Sequence, residues 1–271
     1  MLLSISAWTF PAGTDARQMA ESAARAGFEA IELTMDREGL LTAETPPDQC
    51  RQIARVFQDA GLKIASLATA LFWRVNYGDP DPAIRRQAKN LTRTGLAMAA
   101  ALGTDALLVV PAVVGTWDEP APRVGYADAL ARSFEALAEL RRDAEDFGVH
   151  IAVENVPNRF LLSPVEMRDL IDRVNSPWVG VYFDTGNALL CGYPQDWISV
   201  LGPRIVRVHA KDCDMSRGIQ GLACPLQAGS VDWPAVIGAL RTVRYDGPLT
   251  YEGQGDPAEI ARQLRRILGS R

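Results

Sequence analysis

The sequence predicts an α/β fold, a single (β/α)8 barrel spanning residues 1–271. Three observations predict it. A helical stretch, a glycine and a short β-branched run recur in that order, as ARAGFEAIEL, QDAGLKIASL, AALGTDALLVV and EDFGVHIAVE. Eight strand-like runs can be read along the chain, which gives about 34 residues per unit, the size of one βα repeat. No GxGxxG follows the first run, which disfavours an open doubly wound sheet.

The elements follow in order. LLSISAW opens the chain as the first strand. Gly27, Gly61, Gly103 and Gly148 each stand just past a helical stretch and suit the left-handed position that ends a helix. The second to fifth strands follow them, and WVGVYFD, RIVRVHA and GPLTYE supply the sixth to eighth. Helical stripes lie between, such as Ile53, Phe57 and Ala60, then Leu130, Phe134, Leu137 and Leu140, then Ile260, Leu264 and Leu268. Alternating β and α units imply a parallel sheet, and eight of them suggest closure. No linker or low-complexity segment divides the chain, so one domain is expected.

Composition excludes several classes. With 28 Lys and Arg against 33 Asp and Glu, the net charge of −5 argues against a nucleic-acid partner. No apolar run approaches a membrane span. The start, MLLSISAWTFPAG, has no charged residue and too short an apolar run for a secretory leader. Cys50, Cys191, Cys213 and Cys224 form no CxxC pair, so a reducing, cytoplasmic setting is the expectation.

The last four strands each end on a residue that ligates hard metals: Glu154 in IAVEN, Asp184 in VYFDTGN, His209 in VRVHAKD and Glu252 in LTYEG. In a barrel the C-terminal strand ends surround the active site. Alternation turns Val149, Ile151 and Val153 towards the helices, so His150, Ala152 and Glu154 face the axis. The same parity turns Asp184, Arg207 and His209 inward. Three carboxylates and one imidazole suit one divalent ion, Mn²⁺ or Mg²⁺ before Co²⁺ or Zn²⁺. Such an ion would relieve the repulsion among the buried carboxylates. Glu32 and Arg207 share inward parity and are expected to pair in a buried polar layer, since either alone would be costly.

The motifs ENVPNRF, YFDTGN, VHAKD and GSVDWPAVIGALRTVRYDGPLTYEG make the chain resemble the xylose-isomerase-like TIM-barrel superfamily. The likeness runs over nearly the whole chain. It is nearest to the sugar isomerase and ketose 3-epimerase branch, which includes D-tagatose 3-epimerase and hydroxypyruvate isomerase. The resemblance implies that Glu154, Asp184, His209 and Glu252 bind one divalent metal, most often Mn²⁺, and that Glu154 and Glu252 are the catalytic acid/base pair. It implies proton transfer next to a ketone of a sugar or sugar phosphate through a metal-stabilised enediolate. Return of the proton to the opposite face gives epimerisation, and return to the adjacent carbon gives aldose–ketose isomerisation. A small carbohydrate is then the partner, and a homo-oligomer accords with relatives that are often dimers or tetramers.

The substrate shell departs from that branch. Asn187 stands where a substrate-contacting His is common, Phe160 where a second Glu is common, and Met215 where an Arg is common, with Arg217 two further on. Asn187, Lys211, Arg217 and Trp117 are the substrate-binding candidates. Arg74 and Arg159 join Lys211 and Arg217 as cations that could meet a phosphate. Trp8, Phe72, Trp73, Tyr77 and Trp117 fall in loops on the same side, where rings stack on sugars or merely pack the loops. Asp212 reads as a neighbour supporting His209 or as a loop turn. Two histidines, one of them His150 at the wrong end of its strand, are too few for the three-zinc endonuclease-IV-like site. A lyase of the inosose dehydratase type remains an alternative, and a metal-braced scaffold a lesser one.

Overall fold

The computed structural model describes residues 1–269. Its strands are β1 (Leu2–Ser6), β2 (Ala30–Thr34), β3 (Lys63–Ala68), β4 (Ala106–Val109), β5 (His150–Glu154), β6 (Val179–Asp184), β7 (Ile205–Ala210) and β8 (Pro248–Tyr251). All pairings are parallel and follow chain order, and β1 meets β8 through Leu3–Leu249 and Ile5–Tyr251, so the sheet is a closed barrel. The eight strands are the eight runs read from the sequence.

The helices are α1 (Ala16–Ala26), α2 (Pro47–Asp59), α3 (Pro82–Leu102), α4 (Tyr126–Phe147), α5 (Pro164–Val174), the short α6 (Thr185–Ala188), α7 (Pro194–Leu201), α8 (Trp233–Thr242) and α9 (Pro257–Leu268). Proline opens five of them, where its missing N–H costs nothing and its fixed φ suits the first turn. Gly27, Gly61, Gly103 and Gly148 all take positive φ just past a helix, as expected from their spacing. Ile31, Leu33, Leu107 and Val153 of the strands are fully buried in one apolar cluster with Phe57, Leu96, Leu137 and Leu264 of the helices. Each such side chain contributes about 1.5–3 kcal/mol by leaving water. No described helix is long and apolar enough to cross a membrane.

Two irregularities in the sheet shape the barrel interior. Register shifts between Ile31 and Glu32 opposite β3, and between Val181 and Tyr182 opposite β7. Each leaves one extra residue, Ala65 in β3 and Val206 in β7. Such bulges re-aim neighbouring side chains. Gly180 makes room for the second, since a Cβ there would lie 2.5 Å from Val206 Cγ2.

Arg207 explains how both bulges are kept. Its Nε donates to the Ala65 carbonyl at 2.7 Å and its Nη1 to the Val206 carbonyl at 2.8 Å, while Nη2 pairs with Asp105. The expected pairing of Arg207 with Glu32 is therefore wrong. Arg207 does point inward, but it stands two residues below His209, within reach of Asp105 and the two bulge carbonyls. Glu32 has other partners, described next.

Candidate metal centre

Glu154, Asp184, His209 and Glu252 converge at the C-terminal mouth, each offering one donor atom, with all four atoms within 4.8 Å of one another. Their backbones explain their aim. Asp184 is both the last residue of β6 and the N-cap of α6: its Oδ1 accepts the Asn187 N–H at 2.6 Å. That leaves Oδ2 buried and without a hydrogen-bond partner. Asn155, just after Glu154, locks β5 to β6 by accepting the Asp184 N–H at 2.8 Å and donating to the Asp184 carbonyl at 2.9 Å. Thr185 ties α6 to β7 by donating to the Lys211 carbonyl at 2.7 Å.

His209 is fully buried between carboxylates. Its Nδ1 lies 2.9 Å from Glu154 Oε1, 3.7 Å from Glu252 Oε2 and 4.0 Å from Asp184 Oδ2. Its Nε2 lies 3.0 Å from Glu32 Oε1. Nδ1 is thus the nitrogen that faces the other three donors, and Nε2–H donates away from them to Glu32. A carboxylate behind a metal-facing imidazole fixes its ring and tautomer. Glu32 is held in turn by the Tyr182 hydroxyl at 2.6 Å and the Ser66 hydroxyl at 2.8 Å. Both bulges lie beside members of this network, which draws on β2, β3, β6 and β7.

The charges are strongly coupled. Burial pushes the Asp184 carboxyl up to about 8; Lys211 opposes that push, while Glu252 and Glu154 add to it. Burial also raises Glu154, against the hydrogen bond and charge of His209. Burial alone would raise Glu252, but the Lys211 and His209 charges and the Lys211 hydrogen bond at 2.6 Å bring it down to about 2. Burial would lower His209, yet Glu32, Glu252 and Glu154 hold it well above its ordinary value. Burial would raise Glu32 too, but His209, Tyr182 and Ser66 lower it, so it stays ionised. An Asp184 with one unpaired buried oxygen and a raised pKa, next to an imidazole whose pKa is also raised, is what a divalent cation would relieve. The donor set therefore fits one such ion.

A cavity of about 240 Å³ opens over this centre. Glu154, Glu252, Asn187 and Lys211 line it, together with Trp8, Thr69 and Trp73. The Asn187 side chain donates through Nδ2 to the Asn155 carbonyl at 3.0 Å, so its buried Oδ1 is an unpaired acceptor. Gly186 lets the Lys211 stem pass, for a Cβ there would meet Lys211 Cγ at 3.0 Å.

Other candidates lie elsewhere. Trp117 is exposed in the loop after β4, with the Arg159 guanidinium 5.4 Å from its ring. Arg217 is exposed in the 3-10 segment Met215–Ala223, which reaches the cavity through Leu222 instead. Arg74 lines a different cavity, with Asp36 and Glu44. Phe72 and Tyr77 are buried in the core, where the Tyr77 hydroxyl pairs with Thr92. Asp212 touches none of the donors. It accepts the Cys213, Gln227 and Val231 N–H groups and the Trp233 indole N–H, and so staples its loop. His150 sits at the opposite end of the barrel, its ring tilted against Trp178 with the centroids 5.0 Å apart.

The sequence profile of the family described as Xylose isomerase-like TIM barrel matches residues 20–270. An uncharacterised protein of Methanocaldococcus jannaschii is 29% identical over 134 residues, which are 47% of this chain and 45% of that protein, so the chain spans under half the length of this relative. A putative L-ribulose-5-phosphate 3-epimerase, SgbU, of Escherichia coli is 25% identical, covering 83% of this chain and 79% of that one. An L-ribulose 3-epimerase of Methylomonas sp. is 27% identical over 88% of this chain and 78% of its own length. Among solved structures, a D-psicose 3-epimerase determined in the presence of D-fructose superposes with a TM-score of 0.82 over 100% of both chains at 19% identity, a likeness of fold.

Proposed function

We propose that this chain, which belongs to the xylose isomerase-like TIM-barrel family, is a divalent-metal-dependent ketose epimerase. One observation carries the reading: two carboxylates, Glu154 and Glu252, line one small cavity, and an orphaned Asp184 oxygen and an inward-facing His209 nitrogen lie within 4.8 Å of their donor atoms. Two of the sequence relatives above carry the names of sugar 3-epimerases, which accords with that chemistry.

A bound divalent ion would polarise the ketone and its neighbouring hydroxyl, and the mostly oxygen donor set favours Mn²⁺. The residues of the chain do the rest. Glu154 and Glu252 take and return the proton next to the carbonyl. Lys211 keeps Glu252 ionised and presents N–H donors to a substrate oxygen. Asn187 Oδ1 accepts from a substrate hydroxyl. Trp8 and Trp73 cover the sugar's C–H faces. An unphosphorylated substrate is favoured, because only Lys211 of the four candidate cations lines the cavity and Glu252 already engages it. We take residues 1–271 as one domain, and its four free thiols accord with a cytoplasmic setting.

The test is solvent exchange. The Mn²⁺-loaded protein is incubated with unphosphorylated and phosphorylated ketoses and with inososes in D₂O, with Glu252→Gln as the comparison. Deuterium should enter a carbon-bound position of a free ketose and an epimer should accumulate, both slowed about 10²–10⁴-fold in the variant. Water loss from an inosose would replace the epimerase by a dehydratase. Exchange that survives in Glu252→Gln would remove the carboxylate from the mechanism.

A further inference from the structure

We propose a second binding site beside the reaction cavity, which takes a neutral glycosyl unit attached to the reacting ketose; the proposal rests on the epimerase reading and names its substrate class more closely. The site is a cavity of about 640 Å³ in the loops after β1 and β2, walled by Trp8, Phe10, Met19, Leu33 and Leu40. Trp8 borders both this cavity and the one over the metal centre. The two lie side by side across one indole.

Three features assign the occupant. The first is size: the reaction cavity, at about 240 Å³, falls below the common range for ligand sites of about 300–1,000 Å³, and the neighbouring one falls within it. The second is the wall. Aromatic and aliphatic side chains offer flat apolar contact, and Thr34, Asp36, Glu38 and Gln254 stand among them with hydroxyl-binding oxygens. The third is charge. Asp15, Asp36 and Glu38 are acidic, and no Lys or Arg lines the cavity. A phosphate or carboxylate would be repelled there, whereas a polyhydroxylated neutral unit would find acceptors. The shared wall is also tied to the reaction site. Gln254, two residues past Glu252, donates from Nε2 to the Trp8 carbonyl at 2.8 Å, so the β8 loop holds the Trp8 loop in place.

The experiment compares a free ketose with the same ketose carrying a glucosyl unit, using the Mn²⁺-loaded protein, by deuterium exchange and by saturation-transfer NMR. The glucosyl ketose should exchange with a kcat/KM at least about tenfold higher, and its glucosyl protons should receive saturation from the protein. Phe10→Ala should lower kcat/KM for the glucosyl ketose about tenfold more than for the free ketose. Ala12→Trp, which fills the cavity from its exposed rim without removing packing, should shift the ratio the same way. Equal rates for both sugars, or variants that slow both alike, would overturn the site while leaving the epimerase reading intact. Saturation of the glucosyl protons with no exchange of either sugar would keep the site and sink the epimerase. If sedimentation shows Ala12→Trp dissociating an oligomer with the sugar ratio unchanged, a second copy covers this face and the proposal fails.

Discussion

The two halves of the barrel mouth are built differently. Strands β5 to β8 carry Glu154, Asp184, His209 and Glu252 within one residue of their C-terminal ends, a set of charges poised around a point. Strands β1 to β4 end in Ser6, Thr34, Ala68 and Val109, and their loops bring Trp8, Phe10, Trp73 and Leu40 instead. On the function proposed above, one half would supply the proton chemistry and the other shape. Substrate preference can then drift in the second half while the reaction stays fixed in the first. The division is not complete, because Glu32 of β2 reaches across to His209 of β7, and Arg207 of β7 reaches back to β3.

The sharpest way to isolate the charged half is Asp184→Asn. It keeps an oxygen for the Asn187 N–H but puts an amide where a cation would sit. Mn²⁺ affinity, measured by calorimetry, should fall by more than about 100-fold. The metal-free protein carries a second signature. With its pKa raised from 3.8 to about 8, Asp184 favours the folded state fully below pH 3.8, and that contribution is lost as pH rises through 8. His209, also raised, loses its contribution above 6.5, in the same direction. The wild-type Tm without metal should therefore fall from pH 4 to 8. Its gain on adding Mn²⁺ should grow over that interval, with affinity rising up to about tenfold per displaced proton per pH unit. In Asp184→Asn the fall should shrink to the part due to Glu154 and His209. A Tm in the variant that declines as steeply as wild type would show that Asp184 is ionised throughout.

The charged half is also where the sequence speaks most plainly. Four ligand-type residues at the ends of four consecutive strand-like runs are visible as text, since period-two parity holds between bulges. Trp8 and Trp73 are visible as loop aromatics, but nothing local separates them from Trp117 or Tyr77, because facing a cavity is a property of how loops fold over one another. The partner of Glu32 is hidden for a subtler reason. Parity alone sends Glu32 and Arg207 to the same interior, yet two bulges and a difference of height decide that Glu32 meets His209 and Arg207 meets backbone carbonyls. A bulge inserts one residue without any composition signal, as Ala65 and Val206 illustrate.

Glu32→Gln would break the division between halves most directly. If the two halves were independent, a change in β2 would leave the metal untouched. The hydrogen bond at 3.0 Å argues otherwise. A neutral amide in place of the carboxylate no longer favours the Nε2–H tautomer, so Nδ1 is less available to a cation. Mn²⁺ affinity should drop about 10–100-fold, and Glu32→Asp, which keeps the charge, should recover part of it. Nitrogen-15 shifts of the imidazole read the tautomer without any activity assay. Unchanged shifts and affinity in Glu32→Gln would confine Glu32 to packing.

The smallest effect is expected on the shape-giving side. Trp73 follows β3 and lines the cavity half-buried, and it is not one of the four donors. Trp73→Ala removes one aromatic face, and such a contact is worth about 0.5–1.5 kcal/mol beyond the area it covers. KM for a ketose should rise about tenfold at most, and Mn²⁺ affinity should stay where it is. The outcome for kcat carries the argument, because apolar contact of this kind holds substrate and transition state alike and so alters KM alone. A fall in kcat as large as the rise in KM would mean that the ring also excludes water from the proton-transfer step, and the border between the two halves would then run through the reaction itself.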